Sequence, residues 1–523
     1  MRNSDSVGNM DSLKGFNFAY LLVVVVVILS VIIFLIFVSL FWPFTADDAF
    51  ITFRYSENLA MGSGPTYNSG LPPIEGYTSF LWVIFMAIPH LLNLNAVYFA
   101  KCIGIFATIA YMLISFKFAS RLSSFLEGGE RYIPAVFVVL LLSSFYPTSV
   151  HAISGMETAL FTLMLTLFLY LSATFLNGFP KLTAIFLALV GLLLGLTRPE
   201  GNLVVILGLL TVFWLSPKEI RPFLLKVIII LYLLPGALYF VWRAAYYGHL
   251  FPLPFYAKVL SPSSLPGINN VISFLRYMSI HVGILVLIGI LRADSKLLPA
   301  FLSTSSLLVF YVLPNHIMGY EWRFLFPLAP FIFVIAALGL AVLWEWIQSA
   351  KFSVCSGRAF PIIVFLGICF VVSLDLLTDV KGKVMPKIGY AKGLRETHIA
   401  LGKKLHSFSS DGVLAIADAG AVPYYSKWKT IDTFGLNNNH IALSGKHDPE
   451  YVFSQNPDVL ILISKKKDVF KPRPTVYWER DLYKRSLQEG MVKVKTLKFS
   501  EGYYLWVMAV PESPIARYLG NWK

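Results

Sequence analysis

The strongest constraint on this chain is a run of about 20 residues, 21–40, with no charged side chain. Coiled as an α-helix it measures about 30 Å, the thickness of a bilayer's hydrocarbon core. Further apolar runs follow at 79–93, 96–118, 132–150, 157–177, 181–197, 200–216, 223–245, 270–291, 297–314, 323–347 and 359–377. Only 14% of the 523 residues are charged and 57% are hydrophobic. Mean hydropathy is +0.68, and soluble proteins carry about a quarter of their residues charged. These values exclude a disordered chain, a nucleic-acid-binding arm and an ordinary cytosolic enzyme. The lipid bilayer is an expected partner and nucleic acid is not. Cys102, Cys355 and Cys369 lie in or beside apolar runs and read as small core residues. The first run is too long for a signal peptide's apolar region, and no A-x-A site follows it.

Orientation follows from Lys and Arg. Four connections are basic: Lys117/Arg121/Arg131, Lys218/Arg221/Lys226, Arg292/Lys296 and Lys351/Arg358. These are expected on the cytoplasmic side. The connections 151–156, 198–201, 246–269 and 315–322, and the segment after the last run, then fall outside. With the amino-terminal tail inside, loop 42–78 is external and one crossing only is allowed between 79 and 118. Run 79–93 is therefore expected to lie against or dip into the membrane. The expected fold is a polytopic α-helical membrane protein of about 11 transmembrane helices, followed by an extracytoplasmic α/β domain.

The domain boundary is expected at a shift in composition. Residues 380–523 hold 23 Lys and Arg against 13 Asp and Glu, a net +10 of the chain's +14. The reading is a membrane module over 1–378 and a second domain over 379–523. In the latter, 393–408 reads as an amphipathic helix, 413–417 and 459–463 as buried strands, 448–455 as helix, and 491–499 with 503–510 as an antiparallel pair. No GxGxxG or P-loop is present, which disfavours nucleotide binding. Asp418 ends one strand and Asp432 another, positions that in α/β domains face a ligand crevice or serve a turn.

Outside that domain, polar residues are densest in loop 42–78. Asp47 and Asp48 sit just past the first membrane helix. Adjacent carboxylates repel, so they need a cation, a hydrogen-bond cage or a raised pKa. Such groups act as a general base, bind a divalent ion or stabilise an oxocarbenium-like centre. Either could instead cap a helix over 49–60.

The string Asp47-Asp48-Ala49-Phe50-Ile51-Thr52-Phe53-Arg54-Tyr55 is followed by Asn58-Leu59, Gly62, Gly64, Glu75-Gly76-Tyr77-Thr78 and Leu81-Trp82. It resembles the first external loop of the GT-C glycosyltransferases, which use polyprenyl-phosphate-linked sugars. Within that class the chain most resembles the terminal arabinofuranosyltransferase family of mycobacterial cell walls. Segments 154–158, 197–201, 254–258 and 319–323, and then Asp418–Gly420, Ile431-Asp432 and Gly435-Leu436, extend the resemblance.

The resemblance implies transfer of a sugar, such as arabinofuranose, to an envelope glycan, glycolipid or glycoprotein at the extracytoplasmic face of a bacterial inner membrane. Asp47 is then the expected catalytic group, assisted by Asp48. A divalent cation, Mg or Mn, stays open at that pair. Arg198, Lys258 and Arg323 are the phosphate candidates. Arg54, Tyr55, Glu75, Tyr77, Glu157, Glu200, Tyr256 and Glu321 are the sugar or acceptor candidates, and Trp82 is a further ring-stacking candidate. Each also has a plainer reading. Arg198 and Glu200 could make a turn, Lys258 could snorkel, Arg323 could be a helix-end charge, and the aromatics could belong to the interfacial belt. His151 and His316 have no metal-type companion and read as structural. The alternative function is a transporter or flippase of a lipid-linked sugar. The lack of an evident repeat and the external clustering of charge disfavour it. Inverting and retaining courses both remain open.

Overall fold

The computed structural model describes residues 5–259, 267–314, 316, 318–349, 367 and 380–522. Six helices in it are long and apolar enough to cross a membrane: Tyr20–Phe41, Ala96–Leu122, Thr158–Phe175, Arg221–Tyr247, Ile268–Arg292 and Phe326–Ser349. A seventh crossing is available if Tyr132–Ser144 and Pro147–Ile153, bent by 66°, count as one. The break falls where Pro147 has no N–H to carry the helical ladder through. Runs 181–197, 200–216 and 297–314 form the shorter apolar helices Lys181–Thr197, Gly201–Leu215 and Ser295–Phe310. Run 359–377 and the expected boundary at 378–379 lie outside the described residues. Length and composition thus support six or seven crossings here, against the eleven expected.

Run 79–93 forms Phe80–Leu91, only 12 residues. At 1.5 Å per residue that is about 18 Å, too short to cross. The helical core is closed by small residues where two helices touch. On Ile268–Arg292 and Ala329–Ser349, a Cβ added at Gly289 or Gly339 would fall 2.1 or 1.9 Å from a carbonyl oxygen of the other helix. No larger residue fits that approach.

The carboxyl-terminal part is one five-stranded sheet, ordered β2-β1-β3-β5-β4. Its strands are β1 (Val413–Ile416), β2 (Lys429–Asp432), β3 (Val459–Ser464), β4 (Val492–Ser500) and β5 (Tyr503–Ala509). β1 pairs in parallel with β2 and β3, whereas β5 runs antiparallel to β3 and β4. All six residues of β3 are buried, as its unbroken apolar run requires for a strand covered on both faces. The expected helix at 393–408 is part of a longer helical stretch from Val380 to Phe408 with a π-turn at Arg395–Ile399.

The loop over 42–78 is fastened to this sheet mostly through backbone groups. The Asn68 amide accepts from Thr430 N–H and donates to Thr430 C=O, both at 2.9 Å, pairing the outer side of β2 as a neighbouring strand would. The Arg54 guanidinium, buried, donates to the carbonyls of Tyr67 (2.6 Å), Trp428 (2.8 Å) and Pro423 (2.5 Å). Tyr67 Oη donates to Ala419 C=O at 2.6 Å.

Candidate active site

Helix Asp47–Ala60 starts where the chain leaves the first membrane helix. Successive residues on a helix point about 100° apart, so its two leading carboxylates face different surroundings. Asp47 is turned under the sheet. Its Oδ1 accepts from Ala421 N–H at 2.8 Å, and its own N–H donates to Tyr390 Oη at 3.1 Å. A Cβ at Gly420 would fall 2.2 to 2.5 Å from Asp47 atoms, so only glycine admits this seat. Burial pushes the Asp47 carboxyl up, to about 7; His398 opposes this, and Asp418 and Asp48 add to it.

Asp48 instead lines a cavity of about 470 Å³. Ile51 and Thr52, one turn further on, share its face. Gly76–Ser79 at the end of the loop after helix Asp47–Ala60, Met156 and Leu436 line other parts of the wall. Helix Leu253–Val259 contributes Pro254 and Phe255. The ionic part of the wall is Glu157, Arg198, Glu200 and Arg323.

The arginines are held by local backbone. Arg198 ends helix Lys181–Thr197 in an extended conformation (φ −150°, ψ 140°), as the following Pro199 demands. Arg323 follows a short turn in which Glu321 and Trp322 have φ of 48° and 51°, a costly left-handed conformation for such residues. Glu157 Oε1 accepts from Arg198 Nε (2.8 Å) and from Arg323 Nη2 (2.9 Å), and lies 2.7 Å from Arg198 Nη2, which donates to Thr158 Oγ1 at 3.2 Å. Arg323 Nη1 lies 4.0 Å from Asp48 Oδ2. Phe324 lies against both guanidinium groups, 5.6 Å and 5.3 Å from centroid to Cζ. Arg198 Nη1, 3.8 Å from Glu200 Oε1, and Arg323 Nε are buried with no hydrogen-bond partner among the described residues. Unpaired buried donors of this kind are costly and suit an incoming anion.

The other candidates divide. Glu200 and Tyr77 reach the cavity. Glu200 accepts from Tyr311 Oη, and Tyr77 Oη shares a 2.9 Å hydrogen bond with Tyr247 Oη. Arg54 is the strap described above and does not line the cavity. Tyr55 Oη bonds to Ile74 C=O and Asn437 and accepts from Gly76 N–H, shaping the loop from behind. Glu75 pairs with Arg243 at 2.5 Å, also outside the cavity. Glu321 takes Lys387 at 2.8 Å and the Tyr146 hydroxyl. Tyr256 packs beside Phe251 and Phe255, and Trp82 Nε1 donates to Gly155 C=O at 3.1 Å. The side chain of Lys258 lies outside the described residues.

His151 and His316 bond backbone carbonyls, of Glu321 and Tyr311, though His316 also faces the cavity. No cluster of three His, Cys, Asp or Glu suited to a metal exists among the described residues.

Sequence reasoning missed Thr52, Thr78, Ser79 and Tyr311 on the wall. Helical spacing from Asp48 would have found Thr52. It also missed His398, whose Nε2 lies 2.8 Å from Asp418 Oδ2. No spacing signal joins those two.

A family model described as a domain of unknown function, DUF8728, matches residues 388–509. A comparison with curated proteins finds no match. Among solved structures, ArnT from Cupriavidus metallidurans bound to undecaprenyl phosphate superposes with a TM-score of 0.60 at 13% identity, covering 94% of this chain and 98% of that one. Its apo state gives the same values. The archaeal oligosaccharyltransferase AglB from Archaeoglobus fulgidus gives a TM-score of 0.48 at 10% identity, over 83% and 69%. The chain therefore shares the helical fold of that ArnT structure and carries a carboxyl-terminal α/β domain.

Proposed function

We propose that this protein is a multi-pass membrane glycosyltransferase that moves a sugar from a polyprenyl-phosphate donor to an envelope acceptor on the extracytoplasmic face. The observation that carries the reading is Asp48 beside Arg323 on the wall of a cavity where two buried guanidinium groups keep N–H donors without a hydrogen bond among the described residues. The likeness to a fold seen with undecaprenyl phosphate supports it.

In this reading the donor phosphate sits against Arg198 and Arg323, and the lipid tail lies along Phe251, Phe255 and Phe310. The acceptor hydroxyl attacks the anomeric carbon as the bond from that carbon to the phosphate oxygen breaks. The hydroxyl proton passes to Asp48, and polyprenyl phosphate leaves with its charge held by the two arginines. Three carboxylates (Asp48, Glu157, Glu200) face these two arginines, so a further cation is needed for a tight phosphate site. Lys258, on the helix that supplies Pro254 and Phe255, is the candidate.

Asp48 takes the catalytic role first assigned to Asp47, and Asp47 seats the helix that carries it. Glu157 holds the arginines apart, while Glu200 and Tyr77 meet sugar or acceptor hydroxyls. Asp48 acting as base gives inversion. Retention, the course implied by the arabinofuranosyltransferase resemblance, needs Asp48 as nucleophile.

The test is sugar transfer by purified protein in nanodiscs. A short-chain polyprenyl-phosphoryl arabinofuranose is the first donor, and the product anomer is read by NMR. Donor-dependent release of polyprenyl phosphate is the expected result. Binding without turnover for a panel of pentose and hexose donors would replace the transferase with a carrier.

A further inference from the structure

The parallel part of the sheet is ordered β2-β1-β3, so β1 comes first in sequence and its two neighbours are added on opposite sides. In open α/β sheets, ligands bind at the carboxyl ends of strands where the order reverses. Here that crevice lies between β1 and β3.

Past β1 stands Asp418, its side chain 28% exposed. It accepts from the Tyr503 hydroxyl and holds His398 behind it. Past β3, residues 465–473 hold Lys465, Lys466, Lys467, Lys471 and Arg473 against a single acid, Asp468. The four lysines are exposed, and none of the five cations forms an ion pair among the described residues.

The loop is built. Lys465 N–H donates to Lys471 C=O at 2.7 Å, and Lys466 and Lys471 N–H donate to Ser464 Oγ at 3.2 and 3.1 Å. Its outer carbonyls, of Lys466 and Lys467, are held by Trp506 Nε1 and Lys493 Nζ at 3.1 and 3.2 Å. Arg473 joins the two halves, its Cζ 4.5 Å from the centroid of the Tyr503 ring.

Exposed cations, an aromatic ring and a part-buried carboxylate that still reaches solvent thus follow one another along the crevice. A glycan carrying anionic groups uses all three: lysines for the anions, the ring for a sugar face, Asp418 for hydroxyls. A bilayer surface uses only the cations, and would bring Asp418 against anionic headgroups. The same edge of the sheet closes the cavity, with Gly420 and Ala421 on Asp47 and Leu436, past β2, in the wall.

We infer that the β1/β3 crevice is the acceptor-binding site and that the acceptor is an anionic glycan bearing carboxylate or phosphate groups. The inference rests on the transferase reading, and its test needs no donor. Full-length protein in phosphatidylcholine nanodiscs is titrated with labelled oligogalacturonate, polyglycerol phosphate and neutral dextran of matched length. At least one anionic probe is expected to bind tenfold or more tighter than dextran, with binding that weakens as salt rises. The two anionic arms tell carboxylate from phosphate.

The K465Q/K466Q/K467Q/K471Q variant, altered only at exposed positions, is expected to lose at least tenfold of that binding with an unchanged melting temperature, and R473Q to lose less. Equal binding by the quadruple variant, or no preference for the anionic probes, overturns the inference. So does protection of these lysines from acetylation on moving to phosphatidylglycerol nanodiscs without probe, which assigns the loop to the bilayer. Asp48→Asn is expected to bind the probe as wild type does. Intact anionic binding by a protein that transfers no sugar would defeat the transferase reading alone.

Discussion

Exchanging the two adjacent carboxylates for amides separates their roles. Asp48→Asn removes the only group on that helix that can take a proton inside the cavity while keeping side-chain size. Its side chain is 22% exposed, so the fold loses little. A positioned general base contributes about 10²- to 10⁴-fold, or about 2.7 to 5.4 kcal/mol of barrier, and kcat is expected to fall by that range. Asp47→Asn keeps an amide oxygen for Ala421 N–H at the 2.8 Å contact. What changes is a charge-assisted hydrogen bond for a neutral one, a difference of about 1 kcal/mol, so activity is expected to fall less than tenfold. The assay is release of polyprenyl phosphate under saturating donor, with melting temperature measured alongside. If Asp48→Asn stays within tenfold of wild type while Asp47→Asn loses more than a hundredfold at unchanged melting temperature, the orientation argument is refuted.

Three further expectations follow from the same geometry. Arg198→Gln and Arg323→Gln each leave Glu157 with one cation and should raise donor KM at least tenfold. Because both act through Glu157, the double variant should lose less than the product of the single losses, and strict additivity would contradict the shared clamp. Gly420→Ala drives a methyl group into Asp47 and should lower both melting temperature and activity, whereas the same change at Gly520, which has open space around it and no left-handed backbone, should be neutral in activity. Asp47 titrates higher in the folded protein, about 7, than its ordinary 3.8; its contribution to stability is therefore present at low pH and lost as pH rises through 7. Melting curves at pH 5 and pH 8 should show Asp47→Asn gaining on wild type at the higher pH; a gap that does not change with pH would dismiss this assignment.

Much of this was legible in the chain, for physical reasons. Long apolar runs have one use, so the membrane module announced itself, and the alternation of apolar strands with helix signals gave the α/β part. The polar density of 42–78 gave the site's location. What the chain could not show was direction. Asp47 and Asp48 are chemically identical neighbours, and only the seat made by Gly420 and Ala421, far away in sequence, decides which one faces the cavity. Arg54 and Glu75 read as ligand groups because a charge near a site looks alike whether it meets substrate or, as here, three carbonyls for Arg54 and the Arg243 guanidinium for Glu75. Crossing count was hard for a related reason: helices of 15 to 17 residues such as Gly201–Leu215 and Lys181–Thr197 are apolar enough to read as spans yet short of the length that settles it.

The seat under Asp47 also sets an order of events. Its closing contact, Ala421 N–H to Asp47, joins residues 374 apart in the chain. At about 5–20 residues per second of synthesis, the helix bearing Asp48 exists for about 19 to 75 s before the segment that fixes it is made. During that interval the clamp of Glu157, Arg198 and Arg323 also assembles piecemeal, from segments made one after another. The cavity wall is therefore finished late, when Leu436 and the segment that seats Asp47 join the helices made before them. If the cavity is the transferase site proposed above, activity is expected only once the segment carrying Gly420 and Ala421 has been made and has seated Asp47.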